Sequence, residues 1–449
     1  MRLCINSQSP PVRFKLGLED LLEKYGTLPD PVELTDLENG VDYEFTPGGV
    51  TAMVYPLVRR LMEGGQVEKA NWVSLGVRYP PRVRVGGILV SHVEMPEEVL
   101  RDYTAFKEGL WSQFHGMGGE LSFDGGYVAY SKFNWVNSQK LLELRQDSDA
   151  FFVHDFQLLQ TGAIVGPPAP AVLRWHIPFV PDVLPHLTRR AVVKWIEEFD
   201  AIIVSTRRDL EGLVKSGYRG RAHLEYPFID PALWKLNPGP EEVARFDEMI
   251  GRRKNEKLLL MVARMDRIKS QDVAIRALSR LRHMGNFRLA LVGNGSFSSS
   301  KTGGLGHSKA ARWRAELEAL ARELGVQDRV RFVGFAPEPI LRAAYRAADI
   351  VLLTSNLEGF GISALEGWIN RKPIVVSKGT GVSELVVDGS NGYTFRAGDD
   401  SAAAEAVLSA ENHAERLGVN GFETAKQCYI ERALEREKEV IEEAQSIYK

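Results

Sequence analysis

Two carboxylates eight residues apart frame the stretch Glu358-Gly-Phe-Gly-Ile-Ser-Ala-Leu-Glu366. The stretch follows an apolar run, Asp349 to Thr354, that reads as a buried strand. A Gly-Phe-Gly turn then opens onto an apolar helix. A Gly-rich strand-to-helix turn directs backbone N–H groups outward, and these suit the oxygens of a sugar or a phosphate. Eight residues is a little over two helical turns, so the spacing predicts that Glu366 returns near the face of Glu358. A cationic pair lies upstream in Arg264-Met-Asp-Arg-Ile-Lys269, just past a second strand-like run. Arg supplies a planar fork and Lys a point charge, and the two can converge on one diphosphate. A solvated basic turn is the plainer reading of the same residues.

The supporting elements read as alternating strands and helices. In the first half, strands are expected at Leu3–Asn6, Asn71–Leu75, Ala150–His154, Ala171–His176 and Ala201–Ser205. Helices are expected at 50–63, 97–114, from Phe133 to Leu144, and from Thr206. The region up to residue 46 reads as irregular. Pro47-Gly48-Gly49 opens the first helix, and Gly48 and Gly49 there could bring amides to a phosphate. A Pro-rich passage, Tyr226 to Pro240, breaks the pattern. Five further strands follow, at 258–263, 287–292, 330–333, 350–353 and 373–377. Residues 293–309 read as a long loop, and 430–449 as an amphipathic helix. The fold class is α/β: two doubly wound, Rossmann-like domains in tandem, 1–232 and 233–425, with a C-terminal helix 426–449. Ligands of such sheets bind beyond the carboxyl ends of the strands, where Gly48, Gly49, His154, Asp155, His176, Arg264, Gly334 and Glu358 all fall.

Composition narrows the function classes. Over 449 residues the formal net charge is −3, which gives no global attraction to nucleic acid or anionic membrane. Two cysteines, Cys4 and Cys428, support neither a disulfide framework nor a CxxC metal site, and they fit a reducing cytoplasm. No apolar run is long enough to span a bilayer. Arg and Glu lace the C-terminal helices, which tilts toward a thermophilic source.

Taken in order, Arg264…Lys269, Val330-Arg-Phe-Val-Gly-Phe335, Glu358…Glu366 and Pro373…Gly392 resemble the donor-binding half of retaining GT-B glycosyltransferases. The likeness is to the sucrose-phosphate-synthase and archaeal trehalose-synthase type, over roughly residues 255–400. It implies that Arg264 and Lys269 hold a nucleoside diphosphate and that Glu358 with Gly359, Phe360 and Gly361 contacts the transferred sugar. Glu366 would bind the ribose, and the backbone near Gly334 and Phe335 the base. Val153-His-Asp-Phe-Gln-Leu158 and His176-Ile-Pro-Phe179 resemble paired segments of trehalose-6-phosphate synthases. By that resemblance His176 contacts the donor sugar and Asp155 the acceptor. Tyr103 and Trp111, on a helix similar to one there, would touch the acceptor, and Arg13 could meet a phosphate on it. Read from the residues alone, His154 serves equally as a core histidine, and Trp111 with Phe114 as a core stripe.

The resemblance further implies two facing domains with an interdomain cleft, and a last helix packed back on the first domain. The implied reaction is transfer of a glucosyl or other hexosyl group from a nucleoside-diphosphate sugar, such as UDP-glucose, to a small sugar with retention. Trehalose from NDP-glucose and glucose is the leading product. The alternatives are a phosphorylated acceptor (a sugar phosphate or glycerol phosphate), a nucleotide-sugar epimerase, and a non-catalytic sugar-nucleotide sensor. No cofactor or metal is needed for that chemistry. The expected partners are the nucleotide sugar and the acceptor, without nucleic acid or membrane, and a homo-oligomer is compatible with them.

Overall fold

The computed structural model describes residues 1–46, 49–234, 238–295 and 305–448. The chain divides into two compact units, 1–226 with 433–449, and 227–432.

Unit 1 is built on a nine-stranded sheet. Its order is Ala222–Leu224, Ala201–Val204, Ala171–Arg174, Ala150–His154, Arg2–Asn6, Lys69–Leu75, Ile88–Val93, Arg82–Val85 and Val32–Glu33. Neighbouring pairs are parallel except Arg82–Val85 against Ile88–Val93. The central strands are buried on both faces, which is why they read as unbroken apolar runs such as Ala-Phe-Phe-Val. Helices Glu97–Phe114 and Gly125–Glu143 pack on the sheet through Tyr103, Phe106, Leu110, Phe114, Tyr130 and Phe133.

Three departures from the sequence expectations occur here. The stretch before residue 46 is not irregular. It holds helix Leu18–Tyr25 and an antiparallel ribbon, Val12–Phe14 with Tyr43–Phe45, in which Arg13 pairs with Glu44. The hairpin Arg82–Val85 to Ile88–Val93 turns on Gly86-Gly87, both at positive φ, and was not foreseen. The helix expected from Phe133 begins at Gly125, because Asp124 caps it by accepting from the Gly126 N–H at 3.2 Å.

Unit 2 carries a six-stranded, all-parallel sheet. Its order is Val330–Gly334, Phe287–Val292, Lys257–Val262, Ile350–Leu353, Ile374–Ser377 and Gly392–Phe395. The strand sequence runs outward from Lys257–Val262 in one direction, then restarts on its other side with Ile350–Leu353. That reversal is the topological switch point, where the loops following two adjacent strands diverge and leave a crevice. Among the described residues, no helix is long and apolar enough to cross a membrane.

Candidate functional site

The switch point of unit 2 brings the cationic pair to the first carboxylate. Arg264 and Lys269 follow strand Lys257–Val262, and Glu358 follows its sheet neighbour Ile350–Leu353. Several hydrogen bonds stitch the two loops together. Thr354 Oγ1 donates to the carbonyls of Lys269 and Ser270, at 3.0 and 2.8 Å. The Asn356 N–H donates to the Ile268 carbonyl at 3.0 Å. Asp266 caps the short turn Arg267–Lys269, and Ser270 takes a left-handed φ of 51° to pass into helix Gln271–Leu281. The Arg264 carbonyl accepts from Gln271 Nε2 at 2.6 Å, and Gln271 in turn accepts from the Trp313 indole at 2.8 Å. The backbone that carries both cations is therefore pinned.

Lys269 Nζ makes an ion pair with Glu358 Oε1, and Ser355 Oγ donates to Glu358 Oε2 at 2.6 Å. Both charged side chains are largely out of solvent, 13% and 18% exposed, so this is not a screened surface pair. Burial alone would push the Glu358 carboxyl up. Lys269, Ser355 and the charge of half-buried Arg264 together outweigh burial and hold it below the usual range. The Glu358 N–H is taken by the Gly379 carbonyl at 3.0 Å.

The expectation that Glu366 returns to the face of Glu358 by helical periodicity does not hold. Helix Ile362–Ile369 starts only after Gly361, so Glu358 lies in the preceding turn rather than on that helix. Gly361 has φ 105°, and a Cβ there would stand 2.4 Å from Leu353 Cδ2, so the turn requires glycine. Gly359 and Phe360 are buried, and the Phe360 carbonyl accepts from the Val382 N–H at 2.8 Å. Glu366 instead receives the Tyr345 hydroxyl on Oε2, within the same unit. Gly334, at φ 79°, ends its strand with its carbonyl accepting from the Gly293 N–H at 2.7 Å, and Phe335 beside it is exposed.

Unit 1 gathers a second group at the ends of strands Ala150–His154 and Ala171–Arg174. His154 Nδ1 lies 3.1 Å from His176 Nε2, so the two rings share one proton and each fixes the other's tautomer. Burial first, then the charge of Arg174, lowers both; His154 falls to about 3, so the pair is neutral near pH 7. Asp155 is 5% exposed, and its φ of 72° with ψ of 175° is a strained backbone conformation essentially confined to glycine. Burial raises its carboxyl to about 7 despite N–H groups donated by Phe156 and His176. Sequence reasoning missed Arg174. It is fully buried and adjacent to His154 in the strand register, and it pairs with Glu437 of the C-terminal helix at 3.0 Å. Its Nη2 donates to the Glu225 carbonyl at 2.9 Å. An Arg inside an apolar strand run was the available signal.

The remaining expected residues are placed differently. Tyr103 is corrected from an acceptor contact to a core residue. It has no exposed surface, its ring centroid lies 4.2 Å from that of Phe133, and its hydroxyl donates to Gln8 at 2.9 Å. Trp111 is half-buried against the His115 ring, 4.2 Å between centroids. Arg13 is half-buried on the small ribbon near Tyr79 and Glu44. Gly49 begins helix Gly49–Glu63 at φ 67°, and Gly48 lies outside the described residues, as does most of the 293–309 loop. Among the described residues, no group of three or more His, Cys, Asp or Glu could hold a metal ion.

Residues 243–424 match the family model described as glycosyl transferases group 1. A D-inositol 3-phosphate glycosyltransferase of Catenulispora acidiphila is 28% identical over 84% of this chain and 86% of its own length. An uncharacterised glycosyltransferase of Methanocaldococcus jannaschii is 32% identical over 41% of this chain and 44% of its own. The chain spans about half the length of most of the curated relatives it matches. Among solved structures, an α,α-trehalose-phosphate synthase from Burkholderia xenovorans, in complex with glucose-6-phosphate, aligns with TM-score 0.77 at 16% identity, over 98% and 100% of the two chains. The Anabaena protein HepE, in complex with UDP and glucose, aligns with TM-score 0.69 at 18% identity, over 99% and 100%. The fold is GT-B, two Rossmann-like domains, and the second unit carries a group 1 glycosyl transferase domain.

Proposed function

We propose that this GT-B chain, with its group 1 glycosyl transferase domain, moves a hexosyl group from a nucleoside-diphosphate sugar to a small acceptor hydroxyl with retention. The observation that carries the reading is the Lys269–Glu358 pair, half-buried at the switch point of unit 2 beside Arg264. Breaking the bond from the anomeric carbon to the phosphate oxygen leaves a diphosphate whose growing charge must be met. Lys269 has three N–H donors and uses one on Glu358, so it can turn another to that phosphate without moving. Arg264 adds a second cation. Fixed donors aimed at a developing anion are among the largest single contributions to catalysis.

In this reading Glu358 and the turn through Gly361 face the transferred sugar, and Glu366 receives the ribose. His176, held neutral, donates or accepts a hydrogen bond to a sugar hydroxyl, and Asp155 meets the acceptor. The acceptor oxygen bonds to the anomeric carbon, and its proton leaves on the departing diphosphate.

The acceptor is proposed in two forms. Free glucose, giving trehalose, follows from the His154-Asp155 and His176-Ile177 segments. A phosphorylated acceptor is favoured by half-buried Arg13 and by the names of the relatives, one acting on an inositol phosphate and one bound to glucose-6-phosphate. The test pairs UDP-, ADP- and GDP-glucose with glucose, glucose 6-phosphate, glycerol 3-phosphate and inositol 3-phosphate. Nucleoside diphosphate and the anomeric proton of the product are followed by NMR. An α-linked product formed only when an acceptor is present supports transfer. Diphosphate release that ignores the acceptor, or a changed sugar configuration without a product, refutes it.

A further inference from the structure

Glu366 and Tyr345 belong to different helices of unit 2, Ile362–Ile369 and Glu338–Ala347. Tyr345 is fully buried, on a helix face otherwise made of Ala343, Ala344 and Ala347. A buried phenol takes a polar partner. Here it donates to Glu366 Oε2, with the Ser363 carbonyl a longer second acceptor at 3.3 Å. The ring is held in turn: Trp234 packs edge-on against it, with centroids 5.3 Å apart at 83°. Glu366 itself is half-buried, and its Oε1 has no protein partner among the described residues. One carboxylate oxygen is therefore fixed from behind while the other is presented. A Glu side chain left to itself samples several rotamers, and ordering it at the moment of binding weakens binding.

We infer that Tyr345 is a positioning residue that aims the Glu366 carboxylate at vicinal hydroxyls of the nucleotide ribose. This rests on the proposed role of Glu366 in nucleotide binding. Tyr345 touches no substrate; it acts through Glu366, so it governs donor affinity rather than turnover. Phenylalanine fills the same volume and removes only the hydroxyl, so Tyr345→Phe separates orientation from packing.

The experiment uses the full chain and whichever of UDP, ADP or GDP the wild type binds, with the 2′,3′-dideoxy form of the same nucleotide. Dissociation constants are measured by calorimetry, and kcat and KM by diphosphate release. Tyr345→Phe should weaken the ribonucleotide several-fold, up to roughly tenfold, the scale of ordering one flexible side chain on binding. It should raise donor KM similarly, hold kcat within about twofold, and leave the dideoxy nucleotide unaffected. Equal losses for both nucleotides would mean a merely structural role, and ribonucleotide affinity within twofold of wild type would also overturn the inference. Glu366→Gln separates the two levels of argument. If it abolishes ribose selectivity while Tyr345→Phe keeps it, only the positioning role falls. If Glu366→Gln itself keeps full selectivity, the ribose reading fails, and the positioning role with it.

Discussion

Lys269→Met removes the charge at the switch point while keeping an unbranched side chain of similar length. Two consequences differ in kind. The first is catalytic. A single fixed donor to a developing oxyanion is worth about 2.7–4 kcal/mol, or roughly 100- to 1,000-fold in kcat. Arg264 remains to share the phosphate charge, so the loss belongs toward the lower end, about 100-fold. The second is structural. Removing one partner of a fully buried ion pair costs about 3–5 kcal/mol. Here the pair retains 13% and 18% exposure, and Ser355 still donates to Glu358, so about 1–3 kcal/mol is expected.

The two are separated by a second change. In Lys269→Met/Glu358→Gln the uncompensated carboxylate is gone, so stability should return most of the way in urea titration, while kcat stays low. The pH dependence has a definite sign. Glu358 sits below its ordinary range in the folded protein, so its pairing stabilises at neutral pH and is lost as pH falls through the depressed value. In Lys269→Met the carboxyl rises, so protonating Glu358 relieves the unpaired buried charge, and the stability gap to the wild type should narrow as pH falls. Turnover by Lys269→Met within threefold of wild type would refute the leaving-group role. Recovery of kcat in the double variant would show instead that Lys269 serves only to neutralise Glu358.

Asp155→Asn tests the buried carboxyl of unit 1. Its folded value is raised to about 7 by burial, so the protonated form favours folding below the unfolded value near 3.8, and that contribution fades as pH rises to about 7. The Asn variant should therefore gain thermal stability relative to wild type at pH 8 compared with pH 5, and its acceptor KM should rise more than its donor KM; equal pH profiles would contradict the assignment. Glu437→Ala leaves Arg174 buried without its carboxylate and should cost about 3–5 kcal/mol in urea unfolding. A cost under 1 kcal/mol would mean that the Arg174 charge is satisfied elsewhere.

The difference between what the sequence disclosed and what it hid follows from how each residue earns its place. The α/β class was legible because central parallel strands are apolar on both faces, so runs such as Ile350–Leu353 and Ala201–Val204 stand out without alternation. Some edge strands carry no such signal, although Val330–Gly334, at the edge of the second sheet, was expected at 330–333. Ala222–Leu224 is only half-buried and Gly392–Phe395 starts on glycine, and both passed unnoticed. Arg264, Lys269 and Glu358 were legible as a group because a doubly wound sheet sends chemistry to the loops after its central strands, whatever the reaction. Glu366 was singled out by spacing, but the geometry inferred from that spacing was wrong, since periodicity applies only inside the helix and the Gly361 turn resets it. Tyr345 and Glu437, the partner of Arg174, were out of reach for another reason. Their partners lie 21 residues away in the first case and some 263 in the second (437 less 174), joined by no local pattern. A tyrosine on an alanine-rich helix, or a glutamate among the many of the last helix, is chemically silent until the fold supplies its partner. These are the groups that hold other side chains in place, so sequence motifs disclose the residues that meet the ligand sooner than those that aim them.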